Sequence, residues 1–138
     1  MLNPMFALVM LTFLVMVLTF RSRVSAVRRG DVSLKHFALM QEGEVPEFVA
    51  KTSRNFSNLF ETPVLFYTAG VIYLALDLTA SQPILCAWLF VAARCLHTLI
   101  HLTYNNVLHR LIIFGLGNIS LLVMWISIMQ ATNGAASV

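Results

Sequence analysis

Four apolar runs, separated by one long and two short polar stretches, organise the chain. The first, residues 1–20, reads MLNPMFALVMLTFLVMVLTF and stops at Arg21. At 1.5 Å per residue such a helix reaches roughly 30 Å, the thickness of a bilayer's hydrocarbon core. Positive charge follows this run rather than preceding it, and no small-residue cleavage site closes it. The pattern therefore predicts an uncleaved first span over about 3–20 with its N-terminus outside. The second run extends from Pro63 to Thr79, interrupted by Asp77 and preceded from Glu47 by polar but helix-compatible residues. It predicts a span over about 55–78, with Pro63 marking a kink. Spans over about 83–104 and 111–129 follow, joined by turns at 79–83 and 105–106. The tail ATNGAASV is small and polar and is expected to fray.

Residues 21–53 form the only long polar segment. RSRVSAVRRGD favours continuing the first helix for a few turns past the bilayer, and Gly30, Gly43 and Pro46 then mark turns. Glu42, Glu44 and Glu47 mix the sign of this loop, which reads as a solvated connector or as part of a site mouth. Across the whole chain, 59% of positions are hydrophobic and 11% charged, against roughly 25% charged in ordinary soluble domains. A soluble domain of 138 residues has too much surface per buried volume to lack polar groups to that degree. Soluble enzyme, disordered chain and disulfide scaffold are excluded. The expected fold class is all-α: an integral membrane four-helix bundle of antiparallel transmembrane helices, one domain over 1–138. Cys86 and Cys95 lie in an apolar run without ligand or disulfide spacing and are expected to be buried small hydrophobes.

The net charge of +3 does not point to nucleic acid, because its distribution follows the membrane. Seven of the nine basic residues (Arg21, Arg23, Arg28, Arg29, Lys35, Lys51, Arg54) lie between the first two apolar runs. With Arg110, the inner side holds eight and the outer side none. The positive-inside rule then makes 21–53 and 105–110 cytoplasmic and both termini external. The short termini, without a retention signal, fit a bacterial inner membrane.

Arg94 is left within the third span, and it has company. Arg54, Asn58 and Glu61 are spaced four and three apart; Arg94, His97, His101 and Tyr104 are spaced three, four and three apart. Each set shares one helix face toward the cytoplasmic end of its span. Ionisable groups facing lipid cost several kcal/mol, about 2.5–3.5 on insertion scales, so both faces should meet a cavity or each other. Arginines suit carboxylates or phosphates, and Glu61 suits an ammonium or a neighbouring arginine. The chemistry fits a small zwitterionic or anionic solute; equally, it fits polar glue between two helices. His97 and His101 also have metal-ligand spacing, but His109 lies across the turn and no third ligand is placed with them, so no metal is expected. Asp77 is expected at the outer interface. Asn118 and Ser120, beside Gly115 and Gly117, are expected to serve helix assembly.

These residues resemble the MAPEG family, the membrane-associated proteins of eicosanoid and glutathione metabolism, in a prokaryotic-like form. The family's second-helix pattern reads here as Arg54-Asn-Phe-Ser-Asn58-Leu-Phe-Glu61-Thr-Pro63-Val-Leu-Phe66, and its third-helix Ala-Arg pair reads as Ala93-Arg94-Cys-Leu-His97. The resemblance implies a homotrimer with glutathione bound near the cytoplasmic face between protomers. It implies that Arg54, Asn58 and Glu61 hold the tripeptide, with Arg94 in the same polar layer; His97 and Tyr104, on the Arg94 face, are further candidate glutathione-binding residues. Arg110 or Arg94 would stabilise the thiolate and His101 would handle its proton. Glutathione-using members carry tyrosines on the third helix where this chain has histidine. The expected activity is a membrane-bound glutathione-dependent transferase or peroxidase acting on hydrophobic, lipid-dissolved substrates. The alternative is a non-catalytic member that binds a lipid or other small anion, or serves as an assembly partner.

Overall fold

The computed structural model describes residues 1–39 and 45–135 of the chain. Among the described residues there are six α-helices: α1 (Leu2–Arg29), α2 (Leu34–Leu39), α3 (Glu47–Asn58), α4 (Thr62–Ala75), α5 (Ser81–Leu102) and α6 (Val107–Ala135). No strand occurs among the described residues. The architecture is an all-helical bundle with long apolar helices suited to a membrane, and α1, α5 and α6 are each long and apolar enough to cross one. The turn expected at Gly43 and the carboxylates Glu42 and Glu44 lie outside the described residues, as do the last three of the tail. The tail's first five residues continue α6 as helix.

α1 buries Pro4, Leu8, Val15, Thr19, Ser22 and Ala26. Their spacings of four, seven, four, three and four trace one narrow stripe along the helix. Phe6, Met10, Phe13 and Val17 point outward, an arrangement that water penalises and hydrocarbon does not. The helix continues through four arginines past its apolar run and ends where Gly30 turns left-handed at φ 79°. There the N–H groups of Gly30 and Asp31 donate to the carbonyls of Val27 and Ala26, both at 3.0 Å. This paired closure uses up the carbonyls that a helix end leaves orphaned.

The second span, expected over 55–78, is two helices in series. Pro63 has no N–H to offer the Leu59 carbonyl, and its ring would crowd that carbonyl in a continuous helix. α3 therefore stops at Asn58, the backbone turns through 59–61 with Glu61 at φ −87° and ψ −98°, and α4 restarts with Pro63 in its first turn. A proline there forfeits nothing, because first-turn N–H groups have no intrahelical acceptor. α4 has 14 residues and so covers only about 21 Å. α3 packs against α1 and α5, whereas α4 packs against α1 and α6.

Between α1 and α3 the contact is polar yet dry. Thr19, Ser22 and Thr52 are all buried. The Thr19 hydroxyl lies 2.8 Å from the Val15 carbonyl and 3.1 Å from that of Thr52, and the Ser22 and Thr52 hydroxyls are 2.9 Å apart. Because every hydroxyl has a partner, their burial carries little penalty.

The apolar core joins Leu8 and Val15 of α1, Phe66 and Tyr73 of α4, Phe90 of α5 and Met124 of α6, among others. Phe66 and Phe90 stack with ring centroids 5.0 Å apart. α5 and α6 form a hairpin whose close approach depends on Gly117: a Cβ there would lie 3.1 Å from Ala93 Cβ. Ser120 donates across the pair to the Cys86 carbonyl at 2.8 Å, so its part in helix assembly is visible as a bond. Cys86 is buried as expected, whereas Cys95 is exposed; a thiol is apolar enough to sit on a lipid-facing flank.

The hairpin contact makes a contrast between two neighbouring glycines. Gly117→Leu should lower the thermal midpoint in detergent, with a loss of about 1–3 kcal/mol from overpacking. Gly115→Leu, where a Cβ meets nothing within 4 Å, should change it little. Equal effects would show that Gly117 does not set the helix spacing.

Candidate functional site

The turn joining α5 to α6 fixes the first of the site's side chains. Asn105 takes the chain around at φ 51°, and Asn106 caps α6 by accepting the His109 N–H on Oδ1 at 3.1 Å. Asn105 Oδ1 in turn accepts from Arg110 Nη1 at 2.8 Å. The guanidinium is thus aimed by the turn that precedes it. Lys51 donates to the Thr103 carbonyl at 3.5 Å and pairs with Glu47 at 2.6 Å, tying α3 to the same turn. The Lys51 ammonium also holds the Glu47 carboxyl below its ordinary pKa, first through the hydrogen bond and then through charge.

A groove of about 370 Å³ opens at this end of the bundle. Ser53, Arg54, Ser57, Asn58 and Glu61 line it from α3 and the break, His97 and His101 from α5, and Arg110 from α6. Six of the eight residues singled out from the sequence therefore share one groove. Ser53 and Ser57 were not singled out, although they are four residues apart and each directly precedes a singled-out residue, Arg54 and Asn58. Tyr104 lies elsewhere: it is exposed, with its hydroxyl 3.0 Å from His109 Nδ1, and does not line the groove.

Arg94 sits behind the groove, only 2% exposed. Its Nη2 donates to both the backbone carbonyl of Asn58, at 2.9 Å, and that residue's Oδ1, at 2.6 Å. Asn58 Nδ2 then donates to Glu61 Oε2 at 3.0 Å. The chemistry of Glu61 suits a direct arginine partner; in the structure Asn58 stands between it and Arg94. Arg94 also lies with Cζ 5.7 Å from the Phe114 ring centroid, and His97 packs on the same ring at 5.8 Å. A guanidinium over an aromatic face gains electrostatic attraction without needing an acceptor.

The backbone acceptor exists because the helix breaks. In an unbroken helix the Asn58 carbonyl would accept the N–H of residue 62. With α3 ended, Leu59 N–H serves the Asn55 and Phe56 carbonyls, Phe60 N–H serves Ser57, and Arg94 serves Asn58. Arg94 thus caps α3 from another helix, placing positive charge at the negative end of its dipole.

Deeper still, Thr98 Oγ1 donates to Asn55 Oδ1 at 3.3 Å, both residues buried. Several buried polar atoms here have no protein partner among the described residues: Arg94 Nε and Nη1, His97 Nδ1, His101 Nδ1, Asn55 Nδ2 and Arg110 Nε. Each such group costs about 1–3 kcal/mol until something meets it. Two arginines, Arg54 and Arg110, and one carboxylate, Glu61, line the groove. That charge set suits a solute with more than one anionic group and one cationic group. No cluster of three or more His, Cys, Asp or Glu suited to a metal is present among the described residues.

An apolar groove of about 400 Å³ flanks the same break on the α1 side, lined by Phe13, Met16, Phe56, Leu59, Phe60 and Tyr67, among others. Leu59 and Phe60 thus serve one flank, and Asn58 and Glu61 the other.

Fold and site together define a membrane-embedded helical bundle with a polar, small-molecule-sized groove where α3, α5 and α6 meet. The family model described as MAPEG family matches residues 1–130, and the chain belongs to that family. No curated protein and no solved structure matches the chain.

The capping contact yields an ordering of variants. Asn58→Leu removes a side-chain acceptor from a buried guanidinium and should cost about 1.5–3 kcal/mol of stability in detergent. Adding Arg94→Met to it should recover part of that loss, since removing both members of a buried polar pair is less costly than orphaning one. A double variant that loses as much as the two singles summed would refute the coupling.

Proposed function

We propose that this protein is a membrane-bound glutathione-dependent enzyme, a transferase or peroxidase acting on hydrophobic molecules dissolved in the bilayer. The observation that carries the reading is the convergence of Arg54, Asn58, Glu61, His97, His101 and Arg110 on one groove. Glutathione bears an ammonium, two carboxylates, two amides and a thiol. Glu61 suits the ammonium, Arg54 a carboxylate, and Asn58 the peptide portion. MAPEG membership supports the same choice of ligand.

A free thiol titrates near 8.5–9, so at neutral pH it needs positive charge beside it to become a nucleophile. Arg110, oriented by Asn105, is the lining arginine for that role. Arg94, which lies behind the groove, acts in this account by positioning Asn58. His101 takes the thiol proton. In conjugation the sulfur bonds to an electrophilic carbon while the leaving group departs with the displaced electron pair. The reactants occupy different phases, and the site's main contribution is to bring them together. The apolar groove on the other flank of the break supports entry of the hydrophobic reactant from lipid.

A homotrimer in the inner membrane completes the proposal, with both termini outside and residues 21–53 and 105–110 in the cytoplasm. The basic residues concentrated in those two stretches support that orientation. One observation favours the second reading, a non-catalytic member that binds a lipid or another small anion. Asn58 spends its carbonyl on Arg94 and its amide on Glu61, as a purely structural link would.

Thermal unfolding of the detergent-purified protein across a glutathione titration separates the two. The enzyme reading expects a saturable rise in midpoint, since the ligand binds only the native state, and its loss in Arg54→Ala. No rise up to about 10 mM, well above ordinary substrate affinities, would favour the non-catalytic reading.

A further inference from the structure

A second charged feature lies at the far end of α1, apart from the polar groove. Past Phe20 the helix runs on to Arg29 before Gly30 ends it. Positions 21, 25 and 28 follow one another at four and three residues, and 29 lies four after 25, so they share a flank. Arg21, Ser25, Arg28 and Arg29 line one surface groove of about 420 Å³, with Phe20 and Val24 at its apolar edge. An adjoining groove of about 570 Å³ shares Arg21, Ser25 and Arg29 and includes one carboxylate, Asp31. On the other side, Phe20 and Val24 continue into an apolar groove of about 450 Å³ with Leu34 and Phe37 of α2. Arg23 is used differently: its Nη2 donates to Ser53 Oγ at 3.1 Å, and its Cζ lies 5.5 Å from the Phe37 ring centroid.

Depth and direction match the flank to a lipid. Arg21 directly follows the apolar run, which puts it at the level of the phosphates. Arg28 and Arg29 lie about two turns farther out, but helical side chains lean toward the N-terminus of their helix. Here that direction is back toward the bilayer, and a long arginine stem can follow it while its head stays in the polar layer. Guanidinium forks suit phosphate oxygens. Three cations against one carboxylate discriminate against a headgroup that carries its own ammonium.

We propose that this flank of α1 is a binding site for one anionic glycerophospholipid. Arg21 holds its phosphate with Ser25 donating beside it, Arg28 and Arg29 lean back over the headgroup and supply the rest of the positive charge, and an acyl chain lies along Phe20 and Val24. The site is independent of the glutathione groove and stands or falls without it.

The test is native mass spectrometry of the full chain released from micelles containing equimolar phosphatidylglycerol and phosphatidylcholine. Each arginine near a charged headgroup layer strengthens anionic binding about fivefold. The wild type should therefore retain phosphatidylglycerol at least tenfold over phosphatidylcholine. The triple variant Arg21→Gln, Arg28→Gln, Arg29→Gln should fall to near parity, with an unchanged thermal midpoint in lipid-free detergent as the folding check. Arg23→Gln should keep the preference. Inorganic phosphate at millimolar concentration should leave the lipid bound, because it lacks the apolar half of the ligand. Parity in the wild type, retention in the triple variant, an equal loss in Arg23→Gln, or displacement by phosphate alone would each overturn the proposal.

Discussion

A guanidinium buried within a membrane-spanning helix must find acceptors, and Arg94 finds two on a single residue. One is the Oδ1 of Asn58 and the other is its backbone carbonyl, which the break before Pro63 has released from helical bonding. Break and arginine therefore explain each other. Without the break the carbonyl would be spent inside a helix; without the arginine it would be an orphaned acceptor in a low-dielectric setting. Phe114 covers the cation's face, and Asn58 passes the contact on to Glu61.

The rest of the site follows from this arrangement. Ending α3 at Asn58 lets it pack on α1 and α5 while α4 packs on α1 and α6. The turn at 59–61 presents Leu59 and Phe60 to an apolar groove and Asn58 and Glu61 to a polar one. A protein that joins a water-soluble reactant to a lipid-soluble one needs two such surfaces close together. The short turn between α5 and α6, with Asn105 at positive φ, supplies Arg110 to the polar flank.

Much of this was legible in the sequence. Apolar runs and basic flanks gave the helical membrane bundle, because hydrocarbon leaves few alternatives to helices with internally bonded backbones. Periodicity put Arg54 with Asn58, and Arg94 with His97 and His101, on their faces. What periodicity could not supply was the break itself. Pro63 was visible, but a kink and a full interruption with a new N-terminus have the same sequence signature. The side of the groove on which Arg94 lies depends on which carbonyls the break releases, and that is a tertiary fact. Tyr104 followed the helical spacing yet falls beyond the end of α5 at Leu102, where a period of 3.6 no longer applies. Thr19, Ser22 and Thr52 escaped notice because hydroxyls in helices commonly bond their own turn, and here they also link two helices.

The proposed glutathione site depends on Arg94, which does not line the groove but bonds Asn58, a residue that does. Isothermal titration of glutathione into detergent-solubilised wild type and Arg94→Met, at a temperature where both are folded, tests this directly. The account predicts saturable binding to the wild type and an affinity at least about tenfold weaker in the variant, the loss of one charge-assisted contact's worth of positioning. Equal affinities would show that the groove keeps its shape without the cap, and the capped break would then be a matter of stability alone.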